Sequence, residues 1–285
     1  MIAKSPFCAF RIAPSYAGGF SYSWEMSGGF NDPAPWEFIV QKGPTNDGPW
    51  EDVSPKLINV IAWHDEGGKH LGGKANTLYF RVVLKTPRGV YVSPVMQPYG
   101  DLNRRDFLLA REIIRRESLR ARVLAGVECD VYIRSTFGPK CTHCIDPVTG
   151  DIRDAHCKYC FGTGRYPAYY GPHRMMLSFS VDAAHHKANA NGGTHETRMF
   201  EALAIGNPVL KHGDVIIDTR QDKRYVIGTA SITAEVRRIP CLQNLAFEEA
   251  AVSDSVYRIG LPVDDDDETG CEGCEDCEDC EDCDE

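Results

Sequence analysis

Four cysteines in two closely spaced pairs, Cys141-x2-Cys144 and Cys157-x2-Cys160, constrain this chain more than any other feature. Two cysteines separated by two residues fit on one tight turn with both sulfurs facing a common point. Two such turns joined by a short connector make a tetrahedron, the geometry in which a structural zinc takes four thiolate or imidazole ligands. The connector contains Asp146-Pro147-Val148-Thr149-Gly150-Asp151, a turn-forming run. Cys160 is followed by Phe161-Gly162-Thr163-Gly164, where glycines let the backbone bend close to a metal-bound sulfur. The spacing predicts one structural zinc at Cys141, Cys144, Cys157 and Cys160, stabilising a module over 139–164 that has little core of its own. Four thiolates leave no open position for a catalytic metal. The alternative for the same residues is four buried or free thiols. His143 and His156 border the pairs and read as exposed neighbours.

The remaining cysteines divide into Cys8, Cys129 and Cys241, scattered, and five in the C-terminal tail. Met1-Ile2-Ala3-Lys4-Ser5-Pro6 lacks the apolar core of a signal peptide, and no stretch nears the roughly 20 apolar residues of a membrane span. The expectation is a soluble chain made in the cytoplasm, where paired cysteines are metal ligands before they are disulfides. The net charge of −10 is uneven: residues 264–285 hold 14 acids and no Lys or Arg. Without them 31 basic residues stand against 27 acidic ones, a surplus too small to argue for nucleic acid by itself. Residues 263–285 form an acidic tail in which Cys271, Cys274, Cys277, Cys280 and Cys283 recur every third residue. It has almost no apolar side chains to offset ordering entropy and is expected to be disordered. Its cysteines suit either a bland solvating tail or a chelator of soft metals.

Apolar content of 42% over 285 residues allows two or three modest domains. Residues 7–95 read as short strands. Phe20, Tyr22, Trp24 and Met26 alternate, as do Trp36, Phe38 and Val40. Leu57–Trp63, Thr77–Lys85 and Val90–Ser93 complete the set, the last across the turn Pro87-Arg88-Gly89. Six or seven strands in this span imply a β-sandwich over 1–99. A helix over 100–126 should link it to the second half of the chain, capped by Asp101 and ended by Gly126. Phe107, Ala110, Ile114, Ala121 and Leu124 would share its apolar face, widened by Leu109 and Ile113. Asp101/Arg105 and Glu112/Arg116 are i,i+4 pairs on the wet side.

Residues 127–262 read as a small β-barrel carrying the cysteine module. Cys129–Ser135 and Met175–Val181 are strands. Asp214–Asp218, the turn 219–223 and Arg224–Gly228 form the clearest hairpin. Strands near Ala234–Leu242 and Asn244–Glu249 come next, with Ser255–Ile259 as an edge strand. Residues 183–207 are polar and read as a long loop that can include a short helix at 196–204.

Several signals that look catalytic have plainer readings. Gly68–Lys74 matches half of a phosphate-binding loop, but Ala75 stands where Ser or Thr should reach magnesium. His185, His186, His195 and Glu196 do not match a metalloprotease helix and read as solvated loop. Asp214 and Asp218 flank an apolar strand, where capping and turn roles are the default. No nucleophile elbow and no dinucleotide fingerprint occurs, so no catalytic and no cofactor-binding residue is nominated and no enzyme is expected. The arginine-rich helix suits a solvated or subunit-facing surface, with DNA phosphates as the alternative.

Three resemblances add to these readings. Cys157-Lys158-Tyr159-Cys160-Phe161-Gly162-Thr163-Gly164 resembles the C-x-x-C-x-G-x-G element of DnaJ-type zinc domains, but the chain has no His-Pro-Asp motif and co-chaperone function is not implied. Leu78-Tyr79-Phe80-Arg81-Val82, Gly89 and Ser93 resemble the last two strands of fibronectin type III domains, and Trp24 lies where such domains often keep a core tryptophan. Lys211-His212-Gly213-Asp214-Val215-Ile216-Ile217-Asp218 followed by Arg224-Tyr225-Val226-Ile227 looks like the hairpin of small β-barrel proteins in tailed-bacteriophage necks. That resemblance implies a structural virion protein of the neck or head-to-tail connector. It would form a homo-oligomeric ring between portal or adaptor and tail proteins, with DNA only as channel contents and no membrane. A tail or baseplate component and a zinc-containing nucleic-acid-binding module are the alternatives.

Overall fold

The computed structural model describes residues 5–15, 19–65, 78–98, 103–180, 184–190 and 193–260. The expected cap Asp101, the Gly68–Lys74 stretch and the tail 263–285 lie outside them. Among the described residues the protein is mainly β with one α-helix. Among the described residues no helix is long and apolar enough to cross a membrane.

The first eight strands are β1 (Phe7–Pro14), β2 (Phe20–Met26), β3 (Glu37–Gly43), β4 (Glu51–Asp52), β5 (Leu57–Ile58), β6 (Ala62–His64), β7 (Tyr79–Thr86) and β8 (Gly89–Val92). They make two antiparallel sheets, β1-β2-β6 and β4-β3-β7-β8, with β5 also on β3. Alternation places Phe20, Tyr22, Trp24 and Met26 in the core, each at most 5% exposed. They face Phe38, Val40, Phe80 and Val82 of the second sheet, as in the Trp24–Phe38 and Phe20–Phe80 ring contacts at 5.2 and 5.8 Å. The opposite face of β2 carries Ser21 and Ser23, which are buried too, because that face packs on the C-terminal half. Ser23 Oγ donates to Asn207 Oδ1 at 2.7 Å across this seam.

Helix α1 (Arg104–Arg120) is capped by Asn103, whose side chain accepts from the Asp106 N–H. Phe107 turns to the sandwich, 5.9 Å from the Phe20 ring. Ala110 and Ile114 turn to Cys241 and its neighbours. A π turn over Ala121–Ala125 ends the helix. It keeps Ala121 buried but puts Leu124 in solvent at 78% exposure, against the periodicity; Leu109 is exposed as well. The wider turn advances the chain by less angle per residue than an α-helix, so the stripe slips off the core.

The C-terminal strands are β9 (Gly126–Arg134), β10 (Tyr169–Phe179), β11 (Ala184–Ala190), β12 (Gly193–Ile205), β13 (Val215–Asp218), β14 (Lys223–Val236) and β15 (Ile239–Glu249). Their order is β10-β9-β13-β14-β15-β12-β11. The pairings Ser178↔Leu203 and Phe179↔Ala202 join β10 to β12 and close a six-stranded barrel, with β11 outside the closure. Leu177, Ala202, Ala204, Ile216, Ile227, Leu245 and Phe247 belong to its core, each at most 1% exposed.

Three expectations are corrected here. Residues 184–190 and 193–205 are a strand pair rather than a loop or short helix, because Ala202 and Ala204 alternate into the core while the backbone bonds to β15. The β14–β15 turn is Arg237-Arg238, both at positive φ (44° and 72°), and not near residue 243. Ser255–Arg258 is a 3-10 turn capped by Asp254, not an edge strand; it covers the outer side of β13 through Val256 and Ile259.

Candidate metal centre

The barrel strands β9 and β10 are long neighbours, and the chain between them, 135–168, leaves the barrel and returns. Two short bridges organise this excursion: Lys140↔Arg165 at its neck and Ile145↔Ile152 at the connector. Asp146 shapes the connector turn, accepting the Val148 N–H at 2.8 Å while Arg153 donates to its other oxygen. Its carboxyl is held below the usual range by these bonds.

The four sulfurs of Cys141, Cys144, Cys157 and Cys160 all lie within 4.8 Å of one another. Cys144 and Cys160 sulfurs stand 3.2 Å apart, and those of Cys141 and Cys157 3.9 Å apart. No pair is bonded as a disulfide. A tetrahedron with Zn–S bonds of about 2.3 Å has sulfur–sulfur edges of about 3.8 Å, inside this range. Each cysteine is at most 4% exposed. Around them pack only Ala168 and parts of Ile145, Phe161, Tyr166 and Tyr169, a core too small to hold the module unaided. The four residues could therefore hold a metal ion.

The backbone follows the sulfurs closely. Thr163 closes the second turn, its N–H and its hydroxyl both donating to the Cys160 carbonyl at 2.8 Å. Gly162 sits at φ +73°, and a Cβ there would fall 2.4 Å from the Ala155 carbonyl oxygen, so only glycine fits. Cys141 Sγ donates to the Tyr166 hydroxyl oxygen at 3.5 Å. Burial pushes the Cys141 thiol up, but this hydroxyl and the backbone N–H groups of His143 and Cys144 outweigh it and bring it to about 7. Burial and the neighbouring sulfurs push Cys144 up. A cation placed between them would reverse the second effect, favouring thiolates.

His143 and His156 are exposed, and His143 stacks on Tyr159 with ring centroids 4.0 Å apart. Among the described residues, the group placed to ligate a metal is the four cysteines. His185, His186, His195 and Glu196 lie on the β11–β12 hairpin, where His186 pairs with Thr197 and Lys187 with Glu196 along the backbone. Asp214 is 1% exposed and accepts the N–H groups of Arg134 and Lys211 at 2.8 and 2.7 Å, fastening β9 to the start of β13. Asp218 accepts the Arg220 N–H and shapes the hairpin turn. Tyr166 and Thr163 are not signalled by the cysteine spacing; only their place just after the second pair marks them.

No protein-family model and no curated protein matches the sequence.

Proposed function

We propose that the chain is a structural, non-enzymatic component of a tailed-phage virion. Its place is the neck, in a homo-oligomeric ring between portal or adaptor and tail, with DNA as channel contents. The observation that carries this reading is the closed six-stranded barrel with the Gly213–Asp218 and Arg224–Ile227 hairpin in its wall, the motif that resembles neck proteins. Two features support it. The division into β1-β2-β6 and β4-β3-β7-β8 around Trp24 suits a fibronectin type III-like decoration. The outer side of α1 and its π turn leaves Leu108, Leu119 and Val123 39%, 47% and 74% exposed, as a subunit-facing surface would.

The metal of the cysteine site is zinc in this reading, because four thiolates at tetrahedral spacing are a soft, closed donor set. Its role is to hold the 139–164 excursion on the barrel. Three of the helix arginines are in surface ion pairs: Arg115 and Arg116 bond Glu112, and Arg120 bonds Glu117, each within 2.9 Å.

Gold labelling of this protein on purified particles from its source tests the placement. Label at the head–tail junction is the expected result. Label at the distal tail would move the same fold to a baseplate role, and particles without label would overturn the virion reading.

A further inference from the structure

The outer side of α1 carries unpaired charge of one sign. Arg104, Arg105 and Arg111 surround Leu108 at spacings of three and four residues, which are neighbours on a helix surface. Arg237 pairs with Asp106 at 2.5 Å, so the β14–β15 turn, and with it Arg238, stands beside the first turn of the helix. Arg104, Arg105, Arg111 and Arg238 are all exposed, and none has an ion-pair partner among the described residues. The nearby acids are taken: Asp106 by Arg237, Glu112 by Arg115 and Arg116, and Glu117 by Arg120. Glu235 at the turn and Asp101 ahead of the helix remain, two acids against four arginines. The positive surplus surrounds two exposed leucines, Leu108 and Leu109, at 39% and 52%.

The chain itself contains the complement. Residues 264–285 hold 14 acids and no Lys or Arg. They follow Gly260, which lies against Tyr132 of β9: a Cβ on it would fall 2.9 Å from the Tyr132 hydroxyl. From Tyr132 back to Gly126, where the π turn of the helix ends, is about 20 Å of strand. From there back to Leu109 is about 25 Å of helix. The 25 residues after Gly260 reach roughly 80 Å when extended, so they span this path with length to spare. A covalently attached segment meets its site at an effective concentration on the order of millimolar, ahead of a free polyanion. Its acids also repel nucleic acid from the same face.

We propose that the acidic segment 264–285 docks on the start of α1 of its own chain, its carboxylates on Arg104, Arg105, Arg111 and Arg238. The contact covers Leu108 and Leu109, and a partner that uses this face has to displace it. This docking is independent of the virion reading, in which that partner is the neighbouring subunit.

Disulfide capture in the full chain tests the docking, because the segment carries Cys271, Cys274, Cys277, Cys280 and Cys283. Leu109→Cys puts a thiol in the proposed contact. Val252→Cys puts one at a site 80% exposed and closer to Gly260 along the chain. Each variant is oxidised with diamide, which takes up the two thiol hydrogens. Its capture rate is divided by its rate with methyl methanethiosulfonate, a small neutral reagent that corrects for thiol reactivity. At about 0.02 M salt Leu109→Cys should be captured about fivefold faster than Val252→Cys, in a product of single-chain mass. The advantage should vanish at about 1 M salt, where charges are screened beyond a few ångströms. It should vanish too on adding Arg104→Gln, Arg105→Gln, Arg111→Gln and Arg238→Gln, exposed and unpaired positions at which the fold tolerates the change. Equal capture at the two sites, an advantage that survives salt or the four substitutions, or a product of double mass would overturn the proposal. Equal capture together with a DNA duplex that binds the full chain, and binds the fourfold arginine variant more weakly, would give the face to nucleic acid instead.

Discussion

Trp36 of the sandwich lies nearly parallel to Phe137 of the barrel segment, ring centroids 5.4 Å apart and planes 17° from coplanar. Tyr170 stacks on Phe137 in turn, at 4.9 Å. The two halves therefore share one continuous core, in which Trp36 is fully buried. Trp36→Ala should cost about 3–5 kcal/mol, the range for truncating a large core aromatic. Because the seam belongs to both halves, the loss should appear in a single unfolding transition, followed by circular dichroism and by hydrogen exchange. Separate transitions for sandwich and barrel would contradict a shared core.

Asn103 caps the start of α1, its side chain accepting the Asp106 N–H at 2.9 Å. Asn103→Ala should destabilise the protein by about 1 kcal/mol. Thermal denaturation should show a fall of about 2–4 °C.

Burial raises the Asp214 carboxyl from its ordinary 3.8 to about 7, against the pull of the Arg134 and Lys211 N–H groups. The folded protein then holds a proton that the unfolded chain releases above pH 4. This group costs nothing below the unfolded value, and its cost grows as pH rises through about 7. Wild type should lose stability relative to Asp214→Asn between pH 4 and pH 8, by at most about 4 kcal/mol. Chemical denaturation at several pH values measures the difference. A gap that stays constant, or changes in the opposite sense, would refute the assignment.

Gly162→Ala places a methyl group against the Ala155 carbonyl at a positive φ. Left-handed backbone costs a non-glycine residue about 1–2 kcal/mol before any clash is counted. Metal affinity, measured by competition with a chromophoric chelator, should fall about tenfold or more, since 1.4 kcal/mol is one decade.

Much of this architecture was legible in residue patterns because single elements carried it. The Phe20–Met26 alternation gave β2, and the Asp214–Asp218 and Arg224–Gly228 runs gave the β13–β14 hairpin. The cysteine spacing gave the four residues whose sulfurs converge. What stayed hidden depended on distant partners. The β12 strand is polar through residue 198 and gains its place from bonds to β15 and β10. The Arg237-Arg238 turn lacks the glycine or asparagine that usually announces positive φ. Ser21 and Ser23 are polar residues between the alternating apolar ones of β2, yet both are buried. Asp214 gives no hint in sequence that its partners are the N–H groups of Arg134, 80 positions away, and Lys211.

The central proposal is that a metal ion holds the 139–164 module through Cys141, Cys144, Cys157 and Cys160, four residues that could hold one. Native mass spectrometry of the full chain, with Cys271, Cys274, Cys277, Cys280 and Cys283 changed to serine, isolates this site. One zinc per chain is the predicted result, lost on the further change Cys160→Ser. A chain carrying no metal, or a Cys160→Ser variant that retains it unchanged, would contradict a metal-held module.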